Sequence, residues 1–156
     1  MQFAAKEDIE APVEAVFAML SEFESFERSA IRRGIEVMRI GEHDDKIELG
    51  MGWNTRFVMR GKQRSLRLEL CQYDPPSTMR FEATSASINA TMLVDLLSLS
   101  QKRTRLGLVL ELKPQTLSAR LLVQSLKLVR ANLTRRYKLR VAEYAKGLEE
   151  RHQRNL

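Results

Sequence analysis

The chain has 156 residues, 44% hydrophobic and 29% charged, with a net charge of +6. This composition predicts one globular domain spanning residues 1–156 and excludes low-complexity, repeat and intrinsically disordered classes. The single cysteine, Cys71, excludes an intrachain disulfide, and no run approaches the length of about 18 apolar residues that a membrane-spanning helix needs. Without a signal-peptide pattern in "MQFAAKEDIE", we expect a cytoplasmic protein.

The N-terminal region predicts one strand and two short helices. The stretch "MQFAAKEDI" alternates apolar and polar residues, as a strand does. In "EAPVEAVFAML", Pro12 suits a first helical turn, and the apolar residues that follow fall at i, i+3, i+4 and i+7. A second short helix is predicted in "EFESFERSA", and Gly34 closes the region.

From residue 35 the apolar period changes from 3.6 to 2, which predicts an antiparallel meander. Turns are expected at "GEHDD", at Gly61-Lys62 and at "DPPS". The six predicted strands are "IEVMRI", "KIELGMGWNTRFVMR", "QRSLRLELCQY", "TMRFEA", "INATMLVDLLSLS" and "TRLGLVLELK".

The segment after Pro114 predicts one long amphipathic helix. It contains no further proline and only one glycine, Gly147. About 34 helical residues would span on the order of 50 Å, enough to lie along a whole curved sheet. Its apolar residues step by three or four: Leu122, Leu126, Val129, Leu133, Tyr137, Val141, Tyr144 and Leu148.

This order of elements resembles the helix-grip fold of the START-like, birch-pollen-allergen-like superfamily, also called SRPBCC. "IEAPVEAVFAML" looks like its strand-to-helix entry, "DPPSTMRFEA" like a proline-containing turn between middle strands, and "KRTRLGLVLELKP" like its last strand. The resemblance is to the polyketide cyclase/dehydrase and lipid transport group. It implies an α+β fold in which a curved antiparallel sheet of about seven strands wraps a long C-terminal helix.

Such a fold implies an apolar cavity between the sheet and the C-terminal helix, and therefore a hydrophobic small-molecule partner such as a lipid, polyketide or isoprenoid. Hairpin counting places the large apolar residues of three strands on one inward face. The alternative is that they pack a filled core, as in a protein-interaction module. The predicted cavity residues are Trp53, Phe57, Leu68, Leu70 and Phe81 on the sheet and Leu126, Val129 and Leu133 on the helix.

Asp95, within "TMLVDLLSLS", has two predicted orientations. Counting from a turn at Gln101-Lys102 pairs it with Leu108 and points it inward, where Arg130 could partner it as a structural ion pair or a ligand anchor. Counting from a turn at Ala86-Ser87 pairs Ala83 with Ala90 and points it outward. An odd-length loop or a bulge must reconcile the two counts.

Catalysis is thinly supported by the sequence. His43 and His152 are distant from each other in the chain, no nucleophile elbow occurs, and the ligand spacing of metal sites is missing. We therefore expect no metal or cofactor and assign no catalytic residue. If the protein is an enzyme, cyclase or dehydratase chemistry would have to use inward polar groups, for which the candidates are Thr55, Tyr73, Asp95, Ser98 and Tyr137.

The positive charge is concentrated at the C-terminus. Residues 117–156 contain ten Lys or Arg against three Glu. Leu121, Leu128 and Leu139 form a second apolar line beside Arg135 and Lys146, which predicts contact with an anionic membrane or burial against another subunit in a homodimer. Nucleic-acid binding is not expected, because no recognised motif accompanies the charge.

Overall fold

The computed structural model describes residues 1–41 and 46–156, so most of the predicted turn "GEHDD", including His43, lies outside the described residues. The elements, in chain order, are β1 (Gln2–Ile9), α1 (Val13–Leu20), α2 (Phe23–Arg32), β2 (Glu36–Ile40), β3 (Gly52–Met59), β4 (Lys62–Asp74), β5 (Thr78–Thr84), β6 (Ile88–Ser100), β7 (Arg103–Pro114), α3 (Leu117–Lys127) and α4 (Arg130–Arg154).

The seven strands form one curved sheet in the order β1-β7-β6-β5-β4-β3-β2, with antiparallel neighbours throughout. The inward residues alternate with outward ones along each strand, as the period of 2 requires. Two short helices follow β1, and the chain ends in a helix of 25 residues. The predicted α+β helix-grip architecture is confirmed.

Gly34 ends α2 in a turn, as the sequence predicted. Gly34 has φ +84°, its N–H donates to the Ile31 carbonyl, and the N–H of Ile35 donates to the Ala30 carbonyl, both at 3.0 Å. This pair of bonds is a Schellman motif, in which the left-handed residue is usually glycine. It ends α2 and directs the chain into β2 along the sheet edge.

The third strand is shorter than predicted, beginning at Gly52 rather than near Lys46. The N–H of Met51 donates to the Glu48 carbonyl at 3.2 Å, and Gly50 has φ +88°, so the chain turns here. The alternating apolar pattern of this stretch was therefore misleading, because a left-handed glycine interrupts the extended path.

The β3–β4 turn lies one residue earlier than predicted. Its central residues are Arg60 and Gly61, with φ of +55° and +72°, and Met59 pairs with Lys62. Two positive φ values match a type I′ turn, whose twist suits a two-residue hairpin. Trp53 therefore faces Leu68 rather than Leu70. The register is displaced by two residues, so every side chain keeps its predicted face.

The β4–β5 hairpin has the predicted partners beyond a bulge. Leu70 pairs with Phe81 and Leu68 with Ala83, as expected. Near the turn the prediction was wrong, because Asp74, not Tyr73, pairs with Thr78. The register shift between Leu70 and Gln72 compensates, leaving Cys71 as the extra residue.

The predicted single C-terminal helix is divided in two. At the junction, the N–H of Leu128 donates to Ser125 and that of Val129 donates to Leu126, three-residue spacings in place of the α-helical four. Val129 then adopts φ −114°, outside the helical range. The apolar stripe continues through this point, so periodicity alone gave no sign of the break.

The two helices pack on different parts of the molecule. Helix α3 contacts β7, and its buried residues are Ala119 and Val123. By contrast, α4 contacts β1 and α1 and buries Val141, Ala145 and Leu148. No helix in the described ranges is long and apolar enough to cross a membrane.

Candidate functional site

A cavity of about 590 Å³ lies between the inward face of the sheet and α2. The sheet side is formed by the inward residues of β2 to β7. The lining is overwhelmingly apolar. It consists of Leu20, Phe23, Phe26, Glu27, Ser29, Ala30, Arg33, Ile35, Val37, Trp53, Thr55, Phe57, Leu66, Leu68, Met79, Phe81, Met92, Val94, Leu108 and Tyr144.

The position of this cavity differs from the expected one. It was predicted between the sheet and the C-terminal helix, but α4 contributes only Tyr144 to the lining and α3 contributes none. The reason is the packing of α4, which lies over β1 at the sheet edge. On the other side of the cavity, α2 contacts β2 at the opposite sheet edge.

Three aromatic rings form a cluster at the cavity wall. The ring centroids of Phe23 and Trp53 are 5.5 Å apart in an edge-on arrangement, and those of Phe23 and Phe81 are 5.8 Å apart. Trp53 and Phe81 are 6.3 Å apart. Edge-to-face pairs at these distances are favourable beyond the apolar area that they bury. The cluster joins α2 to β3 and β5 at this wall.

One ion pair lies at the cavity wall. The carboxylate of Glu27 accepts hydrogen bonds from Arg39 Nε at 2.9 Å, Arg39 Nη2 at 2.5 Å and Trp53 Nε1 at 2.8 Å. The side chains of Arg39 and Glu27 are only 12% and 24% exposed. A charge-assisted cluster of this kind holds α2 at a fixed position over β2 and β3.

Three residues with hydroxyl groups, Ser29, Thr55 and Tyr144, also line the cavity. The hydroxyl of Thr55 donates to the Leu66 carbonyl at 2.8 Å, so its proton is used within the sheet. That of Tyr144 makes no hydrogen bond with any described residue, while its ring lies 6.0 Å from that of Phe26. Burial raises the pKa of Tyr144 above its ordinary value, so the phenol remains protonated at neutral pH.

Four of the five predicted sheet residues line the cavity: Trp53, Phe57, Leu68 and Phe81. The fifth, Leu70, is fully buried in the apolar core and is not part of the lining. The parity argument placed all five on the inward face, but it had no means of separating cavity wall from packed core. That distinction depends on which helix covers each strand.

The predicted helix residues lie away from this cavity. Leu126 and Leu133 are partly buried, Val129 is 49% exposed, and Arg130 is exposed. All four flank or form the junction between α3 and α4. The prediction relied on one straight helix lying along the sheet, and the break removes that geometry.

Asp95 lies on the outer face of the sheet, exposed, and accepts a hydrogen bond of 3.3 Å from the Thr78 hydroxyl. Ser100 pairs with Arg103 as the hairpin count requires, but a bulge between Ser98 and Ser100 then pairs Asp95 with Gly107. Ala83 pairs with Ala90, as counted from the other side. The bulge reconciles the two counts, and the contact with Arg130 is not formed.

Apart from Thr55, the polar candidates for catalysis do not line the cavity. The hydroxyl of Tyr73 is hydrogen-bonded to that of Ser21 at 2.8 Å, and that of Tyr137 donates to the Leu108 carbonyl at 2.9 Å. Ser98 donates to the Ser100 carbonyl at 3.1 Å. Within the described ranges, no three His, Cys, Asp or Glu residues are grouped as metal ligands would be.

Sequence analysis missed the contribution of α2. Phe23, Glu27 and Ala30 recur at i, i+4 and i+7, and all three face the cavity. The spacing is the ordinary signature of a buried helix face. Glu27 interrupts the apolar pattern there, and a charged residue on an otherwise inward face was the available signal.

The fold has relatives among solved structures. The protein TTHA0849 from Thermus thermophilus is 19% identical over 97% of this chain and 96% of its own, with a TM-score of 0.61. A START superfamily protein from Mycobacterium smegmatis is 11% identical over 86% and 95%, with a TM-score of 0.56. The Zhui aromatase/cyclase from Streptomyces sp. R1128 is 15% identical over 74% and 69%, with a TM-score of 0.54.

These similarities confirm the helix-grip fold that the sequence resemblance implied. At such identities they establish the fold alone. The sequence itself matches no family model and is similar to no functionally curated protein.

Proposed function

We propose that the protein binds a hydrophobic small molecule in the cavity under α2 and carries it. The observation behind this proposal is the apolar cavity of about 590 Å³. Small-molecule sites typically have volumes of roughly 300–1,000 Å³. Burial of ligand surface against such walls is favourable by about 25 cal/mol for each Å² removed from water.

The two alternatives are less well supported. A protein-interaction module was expected to have a filled interior, and this interior holds a large space. A cyclase or dehydratase needs polar groups that converge on the substrate. The hydroxyls of Thr55, Tyr73 and Tyr137 already have partners in the protein. Binding and transport therefore come first, and polyketide-type catalysis second.

Titration with N-phenyl-1-naphthylamine, an uncharged probe that fluoresces in apolar sites, tests the proposal. We expect saturable binding that falls at least tenfold in Ala30→Phe, because Ala30 lines the cavity and the larger ring fills it. Ala18→Phe is the matched control, since Ala18 is exposed on α1. Unchanged affinity in Ala30→Phe, with the fold intact by circular dichroism, would contradict the proposal.

The second part of the proposal is that the ligand is exchanged at an anionic membrane. Residues 117–142 contain seven Lys or Arg and no Asp or Glu. All seven are exposed, and none pairs with an acidic residue in the described part of the chain. The seven are Arg120, Lys127, Arg130, Arg135, Arg136, Lys138 and Arg140.

Apolar side chains accompany these charges. Leu117, Leu121 and Leu128 are 74%, 63% and 86% exposed, and Leu139 on α4 is 59% exposed. We call these leucines and the seven cations the basic-apolar surface. Cations beside unburied leucines suit the boundary between phosphate headgroups and acyl chains. Each basic residue near an anionic surface contributes about 1 kcal/mol.

Vesicle co-sedimentation tests this surface. We expect the protein to bind phosphatidylcholine vesicles that contain phosphatidylglycerol, to bind pure phosphatidylcholine poorly, and to be released by salt. Arg120→Glu/Lys127→Glu should abolish binding. Arg56→Glu/Arg67→Glu, the same charge change at exposed strand residues, should retain it.

Leu121→Asn/Leu128→Asn examines the apolar contribution and should weaken vesicle binding at physiological salt. A homodimer is the competing occupant of the basic-apolar surface. Sedimentation that shows a dimer in the parent protein and a monomer in this variant would overturn membrane contact, as would vesicle binding unaffected by both sets of substitutions.

A further inference from the structure

The carboxylate of Glu27 is bonded on one side only. All three of its hydrogen bonds, from Arg39 Nε, Arg39 Nη2 and Trp53 Nε1, go to Oε1. Within the described part of the chain, Oε2 accepts none. An ionised carboxylate has about four acceptor positions. Glu27 therefore brings unused acceptor capacity to the wall of an otherwise apolar cavity.

The unused oxygen restricts the ligands that fit. A hydrocarbon packed against Oε2 would strip water from it and return no hydrogen bond, which is unfavourable. A ligand with a hydrogen-bond donor at this point replaces the lost water. Because Arg39 and Trp53 hold Oε1, the orientation of Oε2 is set before any ligand enters.

The charged residues at the cavity wall narrow the class of ligand further. Arg39 is already matched by Glu27, so the pair is neutral overall, and a ligand carboxylate would meet Oε2 as a like charge. Arg33, another lining residue, is exposed at the end of α2, where solvent screens its attraction for anions. A ligand ammonium group would have to lose its hydration shell on entering an otherwise apolar cavity, which costs more than burying an uncharged hydroxyl. An uncharged donor meets none of these penalties.

We infer that the cavity accepts an uncharged amphiphile, an alcohol or phenol with a large hydrocarbon body, whose hydroxyl donates to Oε2 of Glu27. This inference rests on the proposed hydrophobic-ligand function and names the ligand class for the same cavity. The hydrocarbon body lies against the aromatic cluster of Phe23, Trp53 and Phe81.

Displacement of N-phenyl-1-naphthylamine by three probes of one chain length tests the inference. The probes are 1-dodecanol, its methyl ether and dodecanoate. The ether keeps the oxygen but has no proton to donate. In the parent protein we expect 1-dodecanol to bind at least about tenfold more tightly than the other two, the ratio that one hydrogen bond to a charged group can supply.

Glu27→Gln should remove the discrimination between alcohol and ether. The amide oxygen can keep the bonds from Arg39 and Trp53, which puts an N–H donor in the place of the unbonded acceptor. We expect the alcohol-to-ether ratio to fall below about threefold. Glu24→Gln, at an exposed position on the same helix, is the control and should leave the ratio unchanged.

The outcomes are separable. Equal binding of alcohol and ether to the parent protein, or preferential binding of dodecanoate, overturns the inference and leaves hydrophobic binding intact. Failure of all three probes and of the fluorophore overturns both. Loss of discrimination in Tyr144→Phe but not in Glu27→Gln would assign the anchor to the Tyr144 hydroxyl and so overturn the role of Glu27. The parent comparison needs no variant to fold.

Discussion

The hydroxyl of Tyr137 on α4 donates a hydrogen bond of 2.9 Å to the carbonyl oxygen of Leu108 on β7. The ring of Tyr137 also lies 5.7 Å from that of Phe3 on β1. One side chain therefore ties the C-terminal helix to two adjacent strands. Because the Leu108 side chain lines the cavity, this tie also helps to fix one of its walls.

Tyr137→Phe should lower the free energy of unfolding by about 1 kcal/mol, because the hydrogen bond is lost while the ring remains. Tyr144→Phe is the matched control. Its hydroxyl has no partner among the described residues, so the change should be less than about 0.5 kcal/mol. Urea denaturation measures both, and equal effects of the two substitutions would contradict the assignment.

Thr104→Val should lower the free energy of unfolding by about 1–3 kcal/mol. Thr104 is fully buried, and its hydroxyl donates to the Ala11 carbonyl at 2.8 Å. Ala11 lies in the segment that connects β1 to α1. Valine has nearly the same shape but no donor. Thr104→Ser keeps the donor and should be the more stable variant of the two. A Val variant as stable as the parent protein would refute this reasoning.

Asp95→Asn should change neither stability nor ligand binding. Asp95 is exposed on the outer face of the sheet, and its bond from Thr78 is 3.3 Å long. The expected change in unfolding free energy is within about 0.5 kcal/mol. Calorimetry and titration with N-phenyl-1-naphthylamine measure the two quantities. Loss of probe affinity would mean that Asp95 acts on the cavity.

Cys71 should react slowly with iodoacetamide. Burial, the hydrogen bond to Glu69 and nearby carboxylates raise the pKa of its thiol from 9.0 to about 11. At about pH 8 the thiolate fraction then falls roughly a hundredfold, and only the thiolate reacts. The comparison is with the same chain in denaturant. Glu69→Gln should restore part of the rate, and equal native and denatured rates would contradict this prediction.

The order of elements and the inward face of each strand followed from the sequence. Those features depend on apolar periodicity, which one-sided burial imposes on every strand. Trp53, Phe57, Leu68 and Phe81 reached the cavity wall for that reason. The predicted register between β3 and β4 was wrong by two residues. Because this number is even, the inward face of each strand was still predicted correctly.

Other features depended on single backbone conformations. The left-handed φ of Arg60 moved one turn, and the bulge between Ser98 and Ser100 decided the orientation of Asp95. Neither leaves a periodic trace in the sequence. The break at Leu128 and Val129 was also invisible in the sequence pattern, because the apolar spacing continues through it unchanged.

Glu27 was missed because its partners are distant in the chain. Arg39 is 12 residues away and Trp53 is 26 residues away. Local patterning identifies a charge on an apolar helix face but not which strand residues will meet it. Predicting the cluster would have required the correct placement of α2 over the sheet.

The interruption between α3 and α4 separates the C-terminal region mechanically. An unbroken helix would transmit any displacement of its first turns to Tyr137 and Tyr144. Here the helical hydrogen bonds are irregular at Leu128 and Val129. Only two residues of α3, Ala119 and Val123, are buried. Helix α3 can therefore move or unfold locally while α4 stays packed. The amide protons of α3 should exchange with deuterium before those of α4.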